Sequence, residues 1–110
     1  MAKALTFLGL ILFVIVLVIV IVPHYRSDRP HGVTLTWQPP LPKGGVEIVG
    51  YNVYRKTDET TTFVKIAERV RSPYEDTLVK SGRTYFYAVT SVDQSGRESR
   101  YSAVTRATIP

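Results

Sequence analysis

The chain has 110 residues, no cysteine and a formal net charge of +5. This length allows one small domain, and the absence of cysteine excludes a disulfide framework and thiolate metal sites. Beyond residues 1–32, the chain has 11 basic and 8 acidic residues, and these alternate in sign along the sequence. Such a pattern is typical of a solvated surface, so we expect no nucleic acid as a partner.

The first segment of the chain is an uninterrupted apolar run. Residues 4–22 read ALTFLGLILFVIVLVIVIV, without a charged residue. As a helix they would span about 28 Å, close to the thickness of the bilayer hydrocarbon, with every backbone hydrogen bond made internally. A cleaved signal peptide would have a shorter apolar core that ends in small residues. We therefore predict a tail at residues 1–3 and an uncleaved transmembrane helix at 4–22.

Residues 23–32 form a polar linker that contains Pro23 and Pro30. Tyr25 and Arg26 suit the lipid headgroup layer, where an amphipathic ring and a long cationic side chain are both stable. Basic residues flank the apolar run almost equally, so the orientation rests on the short N-terminal tail. We expect a single-pass protein of the cell (inner) membrane, with membrane lipid as a partner and the rest of the chain on the extracytoplasmic side.

After the linker, the hydrophobic period changes to two residues, which is the period of a half-buried strand. The alternation predicts strands at 33–37, 49–54, 63–67, around 74, at 85–92 and at 99–109, separated by turn residues. Several short strands in this arrangement indicate an all-β sandwich. Four aromatic residues fall on inward phases and form the predicted structural core: Trp37, Tyr51, Tyr85 and Tyr87.

Residues 33–110 resemble a bacterial-type fibronectin type III domain, which is an immunoglobulin-like β-sandwich. VTLTWQPP at 33–40 resembles strand B with its core tryptophan, and GYNVYR at 50–55 resembles strand C. VKSGRTY at 79–85 resembles the corner between strands E and F, and GRES at 96–99 the start of strand G. The resemblance implies a tyrosine corner, in which the Tyr85 hydroxyl is hydrogen-bonded to the nearby backbone.

The family normally has a strand A before strand B, and only the ten linker residues are available for it here. We therefore expect strand A to be short, displaced or absent. Strand B, at Val33 and Leu35, would then border an open sheet edge, which invites pairing with another chain. We predict that this edge, together with the linker residues from Tyr25 and Arg26 to His31, is covered by a partner subunit or by the membrane surface.

Tyr54 and Phe86 fall on the outward phases of two strands that are neighbours in this fold. Cross-strand aromatic pairs stabilise sheets, so one interpretation is support of the sheet itself. The other interpretation is a binding face. The sequence leaves both interpretations open.

No group of residues has the pattern of a catalytic site. The two histidines, His24 and His31, lie in the linker without cysteine or a carboxylate cluster nearby, which is a poor pattern for a metal site. Glu75 and Asp76 are adjacent, and neighbours on a strand point to opposite faces, so we expect contacts at a turn or corner from them. We predict that the chain is not an enzyme, with no cofactor, no metal and no small-molecule substrate.

The predicted function is that of an accessory or structural subunit of a larger membrane protein complex, for example a respiratory or photosynthetic one. Its helix and its sandwich would dock against other integral membrane subunits. The alternative is a free-standing, membrane-anchored adhesion or carbohydrate-binding surface module. Fold alone does not decide between them.

Overall fold

The computed structural model describes residues 15–21, 31–42 and 44–110, and within these ranges all the regular elements are strands. They form two antiparallel sheets, one of three strands in the order β1-β2-β5 and one of four strands in the order β4-β3-β6-β7. The strands are β1 Ile15–Ile21, β2 His31–Gln38, β3 Ile48–Thr57, β4 Val64–Val70, β5 Tyr74–Val79, β6 Thr84–Asp93 and β7 Thr105–Thr108.

Strand β1 differs from the predicted transmembrane helix. Ile15–Ile21 is a strand that pairs antiparallel with β2, from Ile15 opposite Gln38 to Ile21 opposite Gly32. In this fold these seven residues therefore form a strand instead of the predicted helix, and residues 4–14 and 22 lie outside the described part. Val and Ile favour strands, and pairing with β2 satisfies the backbone groups along one edge of the segment without lipid. No helix able to cross a bilayer occurs among the described residues.

The pairing of β1 also corrects the prediction of an open edge at strand B. β2 lies between β1 and β5, so both of its edges are hydrogen-bonded. Strand A is present, and it comes from the apolar run rather than from the linker. β2 itself begins at His31, within the predicted linker.

The core lies between the two sheets and is built from the inward phase of each strand. Trp37 of β2 packs edge-on against Tyr51 of β3, with ring centroids 5.4 Å apart. Tyr85 and Tyr87 of β6 are buried beside them. The other buried members of this cluster are Val33, Leu35, Val53, Val79, Val89, Ala107 and Ile109. The four aromatic residues on the predicted inward phases thus all lie in the core.

The corner between β5 and β6 has the expected tyrosine hydrogen bond. The backbone N–H of Lys80 donates to the Tyr85 hydroxyl at 2.9 Å. The turn contains Gly82, whose φ of 80° favours glycine. Its N–H donates to the carbonyl of Ile109 at 2.8 Å, so the corner is also fixed to the end of the chain.

The last strand is shorter than predicted. The alternation predicts a strand at 99–109, whereas β7 covers Thr105–Thr108. In the residues before β7, the hydroxyls of Ser99 and Ser102 accept hydrogen bonds from backbone N–H groups of β6, at 2.6 and 2.9 Å. Side-chain oxygens there take the place of the carbonyls of a regular ladder, a substitution that serine favours.

A candidate binding face on the four-stranded sheet

The outer surface of the four-stranded sheet follows from the alternation of β3 and β6. Val53 and Tyr87 have no exposed surface and point into the core. Their neighbours Tyr54 and Phe86 therefore lie on the opposite, outer face, where both are half-buried.

A cross-strand row of alternating chemistry lies beside them. Lys56 of β3 is the register partner of Phe86, and Phe86 is in turn the register partner of Arg106 of β7. Directly opposed residues of an antiparallel pair share a face. The Lys56 ammonium lies 5.3 Å from the ring centroid of Phe86 and 5.5 Å from that of Phe63, which are cation–π distances.

Tyr101 reaches the same surface through a bulge. The chain advances three residues from Ser99 to Ser102, while its hydrogen-bonded partners on β6, Ser91 and Val89, are two residues apart. One extra residue must therefore leave the ladder, as in a β-bulge. Tyr101 lies in this extra length and is 49 % exposed.

The ring of Tyr101 joins the other aromatic side chains of this surface. It lies 5.0 Å from the Tyr54 ring at an interplanar angle of 72°, and 5.1 Å from the Phe63 ring. Both separations are favourable for aromatic pairs, and the pair with Tyr54 has edge-to-face geometry. We refer to Tyr54, Phe63, Phe86 and Tyr101 as the aromatic face.

A shallow depression of about 550 Å³ adjoins the aromatic face. Its lining combines two rings with charged and hydroxyl groups: Tyr54, Thr90, Glu98, Ser99, Arg100 and Tyr101. A surface of aromatic rings with a few polar groups is the usual composition of a ligand site.

Glu98 is the carboxylate of this depression, and one of its oxygens already accepts two hydrogen bonds. The hydroxyls of Tyr54 and Thr90 both donate to Oε2, the second at 2.6 Å. Partial burial opposes ionisation, but the hydrogen bonds from Thr90, Tyr54 and Asn52 together hold the pKa of Glu98 below its usual value. Burial and then Glu98 raise the pKa of Tyr54 to about 12. Glu98 therefore stays ionised and positions hydroxyls.

Near neutral pH these groups keep fixed protonation states and act as hydrogen-bonding partners. Glu98 carries no proton to donate near neutral pH, and Tyr54 does not release its own. Within the described ranges, no group of three or more His, Asp or Glu side chains is arranged to hold a metal ion.

A second polar cluster links the two sheets and has a structural role. Asp76 of β5 is buried, contrary to the turn or corner contact expected of it. It forms an ion pair with Arg55 at 2.8 Å and accepts a hydrogen bond from the Tyr87 hydroxyl at 2.7 Å. Burial and then Asp76 raise the pKa of Tyr87. Because Arg55 and Tyr87 belong to the four-stranded sheet, this cluster holds the sheets together.

The structure separates the interaction residues predicted from sequence. Tyr54 and Phe86 lie on the aromatic face. Val33 and Leu35 are fully buried, and their backbone is paired on both sides. Tyr25 and Arg26 lie outside the described residues.

Sequence reasoning missed two rings and three cations of the face: Phe63, Tyr101, Lys56, Arg100 and Arg106. The available signal was the spacing of Ser99 and Ser102. On a regular strand, side chains alternate between the two faces, so residues three apart point in opposite directions. Ser99 and Ser102 can therefore both hydrogen-bond to the same neighbouring strand only if the alternation is interrupted between them. That mismatch indicates a bulge, and with it an outward Tyr101.

The two antiparallel sheets, the central tryptophan and the tyrosine corner define an immunoglobulin-like β-sandwich. The fibronectin type III domain model matches residues 23–108. The chain belongs to the fibronectin type III family.

Three proteins that are similar to this chain come from bacteria. An amylopullulanase from Thermoanaerobacter thermohydrosulfuricus is 43 % identical over 75 residues, which are 66 % of this chain and 5 % of that protein. A solved Fn3-like protein from Clostridium thermocellum is 26 % identical, with a TM-score of 0.62, over 84 % of this chain and 88 % of that one. A β-1,2-glucanase from Parabacteroides distasonis is 30 % identical, with a TM-score of 0.58, over 72 % of this chain and 11 % of that one.

Proposed function

We propose that the chain is a non-catalytic, membrane-tethered accessory module that presents the aromatic face to a glycan. The observation that carries this proposal is the cluster of four rings on the outer side of a sheet whose core is already complete. The C–H faces of a sugar ring pack against aromatic rings, and its hydroxyls need polar groups nearby. Glu98, Thr90 and Arg100 supply such groups beside Tyr54 and Tyr101.

The similar proteins support the glycan part of the proposal. Two of them are named for glycan-degrading activity, an amylopullulanase and a β-1,2-glucanase. The chain spans about 5 % of the length of the first and 11 % of the second. A segment that small corresponds to an accessory part of such a protein. The comparisons therefore favour the carbohydrate-binding surface module among the functions predicted from sequence.

The tether is supported by the apolar run and by its position. Residues 4–22 lie wholly before residue 23, where the family match begins. The run also exceeds the seven residues of β1. A bilayer needs about 20 apolar residues in a helix, so insertion would require Ile15–Ile21 as well. We propose that β1 pairs with β2 in water, and that in lipid the same residues form part of a helix, because lipid offers no other backbone partner.

Membership of a larger membrane complex stays a prediction. Purification of the full chain in mild detergent, with identification of the proteins that co-migrate, tests it. Stoichiometric co-migration of integral membrane subunits supports a complex, and migration of the chain alone supports a free-standing module.

Glycan binding is tested on the full chain in lipid nanodiscs, by retention on immobilised starch and immobilised polygalacturonate. We expect retention on at least one of them, and we expect Tyr101→Ala to weaken it about tenfold, as loss of an aromatic anchor does. Leu78→Ala is the matched control, because Leu78 is 79 % exposed on β5 of the other sheet. Absence of retention on both glycans, or equal losses in both variants, contradicts the proposal.

The tether is tested by hydrogen exchange on the full chain, in nanodiscs and after transfer to lipid-free buffer. Backbone amides of Thr34 and Thr36 should exchange faster in nanodiscs if β1 has left β2 for the bilayer. Amides of β3 and β6 should keep the same protection in both states. Two results together would contradict the tether: equal protection of the β2 amides in nanodiscs and in lipid-free buffer, and release of the chain from membranes by alkaline carbonate.

A further inference from the structure

We infer that the glycan bound by the aromatic face is acidic, a chain of sugar rings that carry carboxylates. This inference rests on the proposed function and adds the chemical class of the ligand. It rests on the charged side chains around the aromatic face of this chain and uses no property of the similar proteins.

Three cations of the face have no ion-pair partner among the described residues: Lys56, Arg100 and Arg106. By contrast, four other basic side chains are paired, in Arg55–Asp76, Lys65–Glu68, Arg83–Glu59 and Arg97–Asp93. Three further basic side chains, Arg69, Arg71 and Lys80, also have none, so the face holds three of the six unpaired cations among the described residues. A surface of this kind attracts anions and raises the rate at which they bind.

The acidic residue of the depression does not offset this charge fully. Glu98 contributes one negative charge, and its Oε2 accepts the hydroxyls of Tyr54 and Thr90. The face thus presents three unpaired cations against one carboxylate that is already hydrogen-bonded. An anionic ligand on this face would therefore meet net positive charge, with the hydroxyl groups of the depression at the edge of the face.

The positions of two cations fit an extended chain. Lys56, Phe86 and Arg106 form one row across three neighbouring strands. Strands lie about 4.8 Å apart, so the row spans about 10 Å. A short run of sugar rings covers that distance, with carboxylates near the cations at both ends.

An acidic peptide fits this surface less well. Peptides that bind sheets usually add a strand to an open edge, where backbone hydrogen bonds supply the affinity. The aromatic face is the flat side of β3 and β6, and both strands are paired on each of their edges. Ring stacking from this side suits sugar rings, which have apolar faces and need no backbone partner.

The test measures the affinity of the full chain in zwitterionic nanodiscs for three soluble probes: polygalacturonate, starch and polyglutamate. We expect polygalacturonate to bind most tightly, and added salt to weaken it while leaving starch unchanged. Lys56→Gln and Arg106→Gln should each weaken polygalacturonate binding about two- to fivefold, as loss of one exposed charge does. Lys80→Gln, at the corner between β5 and β6, is the matched control and should have no effect.

The outcomes separate this inference from the proposed function. Starch binding that equals or exceeds polygalacturonate binding, and is lost in Tyr101→Ala, overturns the acidic class and leaves the glycan proposal standing. No binding of either glycan overturns both. Polyglutamate binding as tight as polygalacturonate binding overturns the inference, because charge alone would then explain the result. Equal effects of Lys80→Gln and Arg106→Gln also overturn it.

Discussion

The two sheets of the sandwich share a core but differ on their outer faces. The outer face of the four-stranded sheet has Tyr54, Lys56 and Phe86, whereas β2 of the three-stranded sheet has Thr34 and Thr36 there. The two threonines show that β2, a central strand of this sandwich, does not need outer aromatic residues. Of the two interpretations of Tyr54 and Phe86, the comparison of the two outer faces therefore favours binding over support of the sheet.

The sheets also differ in what completes them. The four-stranded sheet consists of strands that lie within the family match at 23–108. The three-stranded sheet has β1 at its edge, and β1 lies before that match in the apolar run. The four-stranded sheet is thus formed entirely by residues of the family match. The three-stranded sheet includes a segment, β1, that we propose inserts into a bilayer when lipid is present.

The largest expected effect concerns the core that both sheets share. Trp37 is 6 % exposed and contacts Tyr51 across the core. We expect Trp37→Ala to lower the free energy of unfolding by about 3–5 kcal/mol, which is most of the stability of a small domain. Thermal unfolding of the full chain, followed by circular dichroism, measures it. A melting curve like that of the parent would mean that the sheets do not depend on a common core.

The next effect concerns the link between the sheets. Asp76→Ala leaves Arg55 without its buried carboxylate and the Tyr87 hydroxyl without its acceptor. We expect a loss of about 3 kcal/mol, because breaking a buried ion pair strands the remaining charge. Glu75→Ala, at the exposed neighbouring position, should change stability by less than about 0.5 kcal/mol. Equal effects of the two changes in chemical denaturation would show that Asp76 does not join the sheets.

The smallest effect is a pH dependence confined to the four-stranded sheet. The pKa of Glu98 is lowered in the folded state, so its contribution to stability is present above the unfolded pKa of about 4.3. That contribution is lost as the pH falls through the lower folded value. Glu98→Gln should therefore destabilise the chain by less than about 1 kcal/mol at neutral pH and should flatten the loss below pH of about 4.

The exposed glutamate Glu47, outside the face, provides the control for that pH profile. Glu47→Gln removes one surface carboxylate and leaves the hydrogen bonds from Tyr54 and Thr90 to Glu98 in place. An unchanged acid profile for Glu98→Gln, measured by the melting temperature across pH, would mean that the hydrogen bonds from Tyr54 and Thr90 do not hold the carboxylate.

Sequence pattern was sufficient for the parts of the fold that depend on local alternation. The inward phases of Trp37, Tyr51, Tyr85 and Tyr87 follow from a period of two, and the tyrosine corner follows from the family resemblance. The strand at Ile15–Ile21 could not be predicted in this way. A run that is apolar at every position has no hydrophobic period, so only its length was available to predict a helix. The pairing of this segment with β2 depends on residues that are distant in the sequence.

The candidate site was only partly predictable for a related reason. Tyr54 and Phe86 lie on regular strands, so their outward phase is local information. Tyr101 lies in a bulge, where alternation fails, and Arg106 joins the face only through the register of β7 with β6. Such registers are set by tertiary pairing, which a single sequence does not display.

The claim that one sheet face binds the ligand is tested most directly by NMR. Full-length, isotope-labelled chain in nanodiscs is titrated with polygalacturonate, and the amide shifts are mapped onto the strands. We predict that the perturbed amides cluster at Tyr54, Lys56, Phe86, Tyr101 and Arg106, with β2 and β5 unchanged. Perturbations centred on Thr34, Thr36 and Glu75 of the three-stranded sheet, or spread evenly over both sheets, would contradict the account.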